Sequence, residues 1–168
     1  MKRFLVLFVA VALMATGGCK PKPKEITQLQ RKEAASLVSE AEFAMNLRDY
    51  ARAEPLFQKA TELCPDDGGY WLGLGINRRR LANVNGAKDA YEKARTAFRE
   101  AYEADRTETE SLLKEVYALA LLGRIDDATK ALEKARKQDP ADSRLRLFAE
   151  NKQLERLVEE PSFKEIAL

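Results

Sequence analysis

A pair of residues, one small and one aromatic, recurs in this chain at a spacing of 34 residues. Phe57 follows Ala53 by four positions, and Tyr91 follows Ala87 by four positions. Residues four apart lie one above the other on a single face of an α-helix, so each pair marks one face of a helix. Self-similarity at this period is the sequence signature of stacked helical hairpins. No other feature of the sequence restricts the possible folds as strongly.

The segment from Gly69 to Ala94 shows the repeating unit most completely. Its first half carries Trp71, Leu74 and Gly75 on one helical face, and its second half carries the second small–aromatic pair. Glycine and alanine allow two helices to approach closely, and the large rings fill the space beside them. A single helical hairpin cannot bury its apolar face alone, so the unit must be stacked on others.

The motif Trp-x2-Leu-Gly followed by Ala-x3-Tyr resembles the tetratricopeptide repeat, a helix–turn–helix unit of 34 residues. The resemblance covers about Ala34 to Pro140, with copies at about residues 34–67, 68–106 and 107–140. It implies an all-α superhelix of about three helix–turn–helix repeats. A stack of three repeats with a cap is about the least that forms a stable solenoid.

The second copy is longer than the first. Ala128, the small residue of the third copy, follows Ala87 by 41 residues instead of 34. Seven additional residues are close to two helical turns, so a longer helix keeps its apolar face in phase. The spacing therefore predicts one continuous helix from about Gly86 to Asp105.

Residues on either side of the repeats complete the predicted domain, which spans 27–168. The periodicity predicts a first helix from about Gln28 to Leu47. After Pro140, a segment rich in Arg, Lys and Glu predicts a capping helix from about Ala141 to Glu159, because terminal repeats need a polar outer face. The remaining tail, within 141–168, carries Phe163 and Ile166, which can dock.

Three local signals refine the helix ends. Thr27 with Gln30, and Thr107 with Glu110, have the spacing of capping boxes. Pro55 falls early in the second helix, where it is either tolerated or moves the helix start later.

The first 18 residues have the pattern of a secretory signal. Two cations, Lys2 and Arg3, precede a run of thirteen residues without charge, Phe4–Thr16. Spanning a bilayer takes about 20 residues, so the run is too short for a stable transmembrane helix. The small residues before Cys19 resemble a bacterial lipobox, which implies cleavage before Cys19 and lipid attachment to it. The alternative is an ordinary secretory signal that happens to end near a cysteine.

Residues 19–26 are predicted to form a tether. Lys20–Lys24 alternates lysine with proline, which favours an extended polyproline II conformation. By resemblance to Gram-negative lipoproteins, Lys20 in place of aspartate implies that the inner membrane does not retain the protein. The expected location is the cell envelope and, in a Gram-negative cell, the periplasmic face of the outer membrane.

Charge and composition lower the expectation for several function classes. The chain has no histidine, the commonest general base and metal ligand. Subtracting Lys2 and Arg3 from 29 basic residues leaves 27, which equals the 27 acidic residues. A neutral mature chain argues against binding of nucleic acid. We therefore expect no enzyme activity, cofactor, metal, nucleic acid or small-molecule substrate.

A few residues could still carry chemistry. Cys64 is the only thiol left once Cys19 is acylated, and it is either a small buried hydrophobic residue or a reactive thiol. Arg78–Arg80 ends a predicted helix, where it either complements the helix dipole or contacts an acidic partner. The pair Asp66–Asp67 lies at a predicted helix start and lacks metal-ligand spacing.

The family resemblance implies a concave groove lined by the first helix of each repeat. Relatives that clamp a terminal carboxylate have lysine and asparagine where this chain has Val38 and Glu42, so that function is not expected. An apolar groove with an arginine edge suits an apolar, possibly acidic, protein or peptide segment. These positions could also be core, or be covered by the N-terminal extension or the C-terminal cap. The predicted groove residues are Val38, Glu42, Met45, Leu72, Ile76, Arg79, Arg80, Leu113, Tyr117 and Leu121.

Together these features predict a membrane-tethered adaptor or scaffold of the bacterial envelope that binds protein partners. The alternative is a structural subunit of a secretion, pilus or outer-membrane assembly complex. An adaptor would have many substoichiometric partners, whereas a subunit would belong to one fixed complex.

Overall fold

The computed structural model describes residues 25–168. This part of the chain contains nine α-helices and no β-strand, which confirms the predicted all-α fold class. The predictions for the leader, for Cys19 and for the Lys/Pro tether up to Lys24 lie outside the described residues. The helices are α1 (Gln28–Asn46), α2 (Tyr50–Leu63), α3 (Gly68–Arg80), α4 (Val84–Ala104), α5 (Thr109–Leu121), α6 (Ile125–Gln138), α7 (Ser143–Glu150), α8 (Gln153–Glu159) and α9 (Pro161–Lys164).

The first six helices form three helical hairpins, which stack in chain order. Within each hairpin α1 packs on α2, α3 on α4 and α5 on α6, and neighbouring hairpins meet through α2 with α3 and α4 with α5. The buried apolar residues run along the whole stack, from a small cluster around Cys64 to a large one around α5. This is the predicted helical superhelix with a C-terminal cap.

The same turn joins the two helices of all three hairpins. Arg48, Ala82 and Gly123 each follow the first helix by two residues, with φ of 60°, 59° and 70°. The amide of Ala82 donates to the carbonyl of Arg79, and the next amide donates to the carbonyl five residues before it. Both bonds recur in the other two turns, and together they are a Schellman motif. Only one of the three turns has glycine at this left-handed position.

Glycine and ring packing holds α2, α3 and α4 together, as the sequence predicts. A Cβ built on Gly73 would lie 2.5 Å from the ring of Phe57, and one on Gly75 would lie 2.4 Å from the ring of Tyr91. Both rings are buried. The backbone of α3 can therefore lie directly against them only because these two positions lack a side chain.

The long helix α4 confirms the prediction that the seven additional residues of the second copy extend one continuous helix. It extends without a break from Val84 to Ala104, within two residues of the predicted limits. Its apolar stripe is buried from Ala87 to Tyr102, with the exception of Ala101, which is exposed. The extension therefore continues one helical face across the junction with α5.

The predicted capping helix from Ala141 to Glu159 is wrong in one respect. The segment is two short helices, α7 and α8, separated by a turn in which Lys152 has φ of 49°. The amide of Lys152 donates to the carbonyl of Ala149, which ends α7. The change of direction lets Leu145 of α7 and Leu154 of α8 both be buried, which explains why one straight helix does not form.

The two predicted capping boxes have different outcomes. Thr27 and Gln30 form a reciprocal box at the start of α1, as predicted. The box at Thr107 is wrong, because α5 begins one residue later than the motif requires, with Glu108 at its N-cap position. Thr107 instead donates from its amide and its hydroxyl to Oδ1 of Asp105. This local bond closes the loop between α4 and α5.

Pro55 is tolerated within α2, one of the two alternatives left open by the sequence, and Trp71 lies at the margin of the core. Pro55 does not move the start of α2, which begins at Tyr50 and continues through the proline. Trp71 lies at the edge of the core and is only partly buried. Its indole N–H donates to the carbonyl of Pro65 over 2.9 Å, and the amine of Lys93 lies 4.5 Å from the ring centroid.

Candidate functional site

The predicted groove residues lie on the first helix of each hairpin and differ in exposure. On α1, Glu42 is exposed, whereas the other two are partly buried against the core. On α3 and α5, the apolar residues pack partly buried against the largest core cluster, with one exception described below. The ten residues are Val38, Glu42 and Met45 on α1, Leu72, Ile76, Arg79 and Arg80 on α3, and Leu113, Tyr117 and Leu121 on α5.

Leu121 is the exception, because its side chain is fully buried in the core. It takes part in the groove only through its backbone. Its carbonyl accepts a 2.9 Å hydrogen bond from the amide of Leu168, the last residue of the chain. A side-chain contact between Leu121 and a partner is therefore incompatible with this fold.

The C-terminal tail, defined here as residues 161–168, lies in the groove. It consists of α9 and the four residues after it. Phe163 is 5% exposed and Ile166 is 9% exposed, and both belong to the largest core cluster together with Ile76 and Tyr117. The rings of Phe163 and Tyr117 meet edge to face, with centroids 5.7 Å apart. The two docking residues named from the sequence are thus buried in the groove itself.

The arginine edge of the groove holds the tail. Nε of Arg79 donates to the carbonyl of Ala167 over 2.9 Å, and the guanidinium of Arg80 pairs with the carboxylate of Glu165 over 2.5 Å. Arg78 points elsewhere, because it pairs with Glu54 of α2 over 3.0 Å. Helix-dipole compensation is therefore not the whole role of these arginines, since each makes a specific contact within the chain.

Tyr91 is a groove residue that the sequence reasoning missed. It is fully buried on α4, and its hydroxyl donates a 2.7 Å hydrogen bond to the carbonyl of Ile166. Burial and removal from water raise the pKa of this hydroxyl. The equivalent positions in the other hairpins are Phe57 and Leu132, which have no hydroxyl. A tyrosine at a core position requires a hydrogen-bond partner, and that requirement was the available signal.

Part of the groove remains open beside the tail. A cleft of about 330 Å³ lies between α1 and α3 on one side and the cap and tail on the other. Its walls combine apolar side chains with the polar groups of Asn46, Arg80, Glu160 and Ser162. Among the predicted groove residues, the cleft is lined by Met45, Ile76, Arg80 and Tyr117.

A second, larger cleft between α6 and α7 has a different character. It has a volume of about 490 Å³ and is lined almost entirely by acidic and basic side chains. Its lining carries charges of both signs with Pro140 as the apolar residue, whereas the cleft in the groove is lined by Met45, Ile76, Leu157 and Phe163 among others. The groove is therefore the better candidate for binding a peptide segment.

Other residues considered in the sequence have structural environments. Cys64 is buried, and loss of water raises the pKa of its thiol, which makes it a weaker nucleophile. Asp67 caps α3 by accepting from the amide of Gly69, and Asp66 pairs with Arg31 on α1. Within residues 25–168, no group of three or more acidic residues and cysteines is arranged to hold a metal ion. None of the helices in this range has the length and apolar character needed to cross a membrane.

Comparison with known proteins gives one family match and one structural likeness. Residues 32–107, which include most of α1 and all of α2 to α4, match the family model described as tetratricopeptide repeat. The chain is similar in structure to the TPR domain of Arabidopsis OM64, with 14% identity and a TM-score of 0.43, over 76% of this chain and 98% of that one. No curated protein matches the chain.

Proposed function

We propose that this tetratricopeptide-repeat protein is a membrane-tethered scaffold of the bacterial cell envelope. Tetratricopeptide domains generally mediate protein–protein interaction, and the groove described above is the surface through which this one would bind its partners. The observation that carries the proposal is the open cleft of about 330 Å³, which combines apolar side chains with an arginine at its edge.

The chemistry of the cleft indicates the type of segment that it accepts. Met45 and Ile76 offer apolar surface from two neighbouring helices, and Tyr117 adds an aromatic face from a third. Arg80 favours a carboxylate, although its present pairing with Glu165 already uses part of that capacity. A short amphipathic segment with apolar side chains and an acidic residue fits these walls.

The N-terminal segment supports the membrane part of the proposal. The apolar run of thirteen residues ends next to Cys19, whose acylation would anchor the chain. A single acyl chain binds membranes only weakly, whereas multiple chains anchor stably, and the lipobox type of modification adds more than one. From Lys20 to Glu25, an extended polyproline II tether would reach about 19 Å. The folded domain would then stand close to, but clear of, the membrane surface.

Capture from membranes tests the scaffold proposal. The exposed residue Asn46 lines the cleft, so Asn46→Trp should block the cleft without disturbing the core. The matched control is Lys88→Trp, which places the same bulk on an exposed position of α4. We expect partners captured by wild type and by the control to be lost from the blocked variant.

The same experiment distinguishes the two candidate roles. Several substoichiometric partners would support the scaffold, whereas one fixed complex of constant stoichiometry would identify a structural subunit of an assembly. If Asn46→Trp captures the same partners as Lys88→Trp, the cleft is not the binding surface and the proposal fails.

A further inference from the structure

We propose that the tail is an internal ligand of the groove and that a partner segment of the same chemistry displaces it. The tail carries Phe163, Glu165 and Ile166 as an aromatic, an acidic and an aliphatic residue within four positions. The partner is therefore a peptide segment with the order aromatic, any residue, acidic, aliphatic. This inference rests on the proposed function and adds the chemistry and the regulation of the binding site.

The tail fills the groove as a peptide ligand would. Its two apolar side chains enter the surface formed by Ile76 of α3 and Tyr117 of α5, and Lys164 between them stays exposed. The aromatic ring of Phe163 rests edge to face on Tyr117, a favourable arrangement for two rings. The buried Phe163 and Ile166 are three positions apart, so one face of the segment docks while Lys164 and Glu165 face solvent.

Most polar contacts recognise the main chain of the tail. Arg79 donates to the carbonyl of Ala167, and Tyr91 donates to the carbonyl of Ile166. Any peptide presents carbonyl groups, so these donors do not require the sequence of the tail. A buried tyrosine hydroxyl without a partner is costly, and therefore an incoming segment must supply a carbonyl when the tail leaves. This requirement favours exchange over simple release.

The tail is attached weakly enough to exchange. Within residues 25–168, the ion pair between the tail and the groove joins Arg80 and Glu165, whose side chains are 32% and 60% exposed. Ion pairs of this exposure contribute little. Glu160 connects α8 to α9 in an extended conformation, and the helix that follows has only four residues. Two buried side chains and a few hydrogen bonds therefore hold a segment of eight residues.

Binding of a peptide in trans tests the exchange with the full-length chain. The probe is a fluorescently labelled synthetic peptide with the sequence of residues 160–168, EPSFKEIAL. The variant Glu165→Arg places a positive charge next to Arg80 and weakens the hold on the tail. We expect this variant to bind the probe about three- to fivefold more tightly than wild type at low ionic strength, with a smaller difference in high salt.

Two controls define the specificity of this effect. Glu155→Arg makes the same charge change at an exposed position of α8 and should bind the probe as weakly as wild type does. A probe in which serine replaces both the phenylalanine and the isoleucine should not bind Glu165→Arg. Hydrogen exchange at the amide of Leu168, which donates to the carbonyl of Leu121, should accelerate in Glu165→Arg.

Two results would overturn the proposal. If Glu165→Arg loses its helical circular dichroism signal, the tail is an essential part of the fold. If it stays folded but binds the probe no better than wild type does, the groove does not exchange its occupant. The peptide-binding assay contains no cellular partner, so its result does not depend on capture of partners from membranes. The scaffold proposal and the displacement proposal can therefore fail separately. Conversely, capture that is equal for wild type and Glu165→Arg would support the scaffold and contradict displacement.

Discussion

The hydroxyl of Tyr91 donates a 2.7 Å hydrogen bond to the carbonyl of Ile166, 75 residues later in the chain. The donor is fully buried in the second hairpin, and the acceptor belongs to the last residues of the chain. One side chain thus contributes both to the packing of α3 on α4 and to the retention of the tail. The repeat core and the groove are therefore coupled at a single residue.

Replacing Tyr91 with phenylalanine separates these two roles. Tyr91→Phe keeps the buried ring but leaves the carbonyl of Ile166 without its donor, which should cost about 1 kcal/mol. We expect a small decrease in the urea midpoint and a clear acceleration of amide exchange in residues 166–168. The control is Tyr102→Phe, at a second buried tyrosine on α4, which should leave exchange in the tail unchanged. Equal exchange in the two variants would contradict the role assigned to the hydroxyl.

The turn at Ala82 offers a stabilising substitution. Its φ of 59° is a left-handed conformation that disfavours residues with a Cβ. Ala82→Gly should therefore raise the free energy of unfolding by about 1 kcal/mol, while Gly123→Ala at the equivalent turn should lower it by a similar amount. Chemical denaturation of both variants measures the two effects. Changes of the same sign in the two variants would show that another term dominates these turns.

The contact between Gly75 and Tyr91 predicts a large effect from one methyl group. A Cβ at this position would lie 2.4 Å from a fully buried ring, so Gly75→Ala should destabilise the fold by about 1–3 kcal/mol despite the better helix propensity of alanine. Combining it with Tyr91→Leu makes room for the methyl group and copies the smaller side chain of the third hairpin, Leu132. The double variant should lose less stability than the sum of the two single variants. If the stability losses of the two single variants simply add in the double variant, the strain does not arise from the contact between Gly75 and Tyr91.

Reversal of the two groove arginines tests the role of the positive edge. Arg79→Glu with Arg80→Glu should keep the helical spectrum but lose captured partners, because an acidic segment would then meet like charge. A matched control, Lys88→Glu with Arg99→Glu, reverses two exposed charges on α4 and should retain capture. Pull-down and circular dichroism on the same preparations give both readouts. If the folded groove variant captures partners at wild-type yield, the two arginines hold the tail but do not contact the partner.

The membrane anchor is tested by one substitution. Cys19→Ser removes the sulfur to which lipid would be attached, so we expect an uncleaved precursor or a secreted soluble form. Intact-mass measurement of the wild-type membrane fraction should show cleavage before Cys19 and the mass of the added lipid. An unmodified Cys19 in that fraction would rule out the lipoprotein assignment.

The repeats themselves could be predicted from the sequence, because neighbouring residues determine them. The spacing between Ala53 and Ala87 fixes which helical faces are buried, and helical period carries that information over a few turns. Continuity of the stripe from Ala87 to Tyr102 likewise indicated one long helix. At Thr107 the local signal was misleading. Its hydroxyl donates to Asp105, two residues before it, instead of forming the capping box predicted with Glu110.

Only the tertiary structure decided what fills the groove. Local patterns could say that Arg79 and Arg80 end a helix, and that Phe163 and Ile166 can dock, but not that these residues meet. Arg80 and Glu165 are 85 residues apart, and their pairing depends on the stacking of the second hairpin on the third and on the break between α7 and α8. Helical periodicity acts over a few turns, whereas the position of the tail is set by surfaces assembled from three hairpins. The sequence alone therefore determined the repeat, and the fold determined that the repeat's own C-terminus occupies its groove.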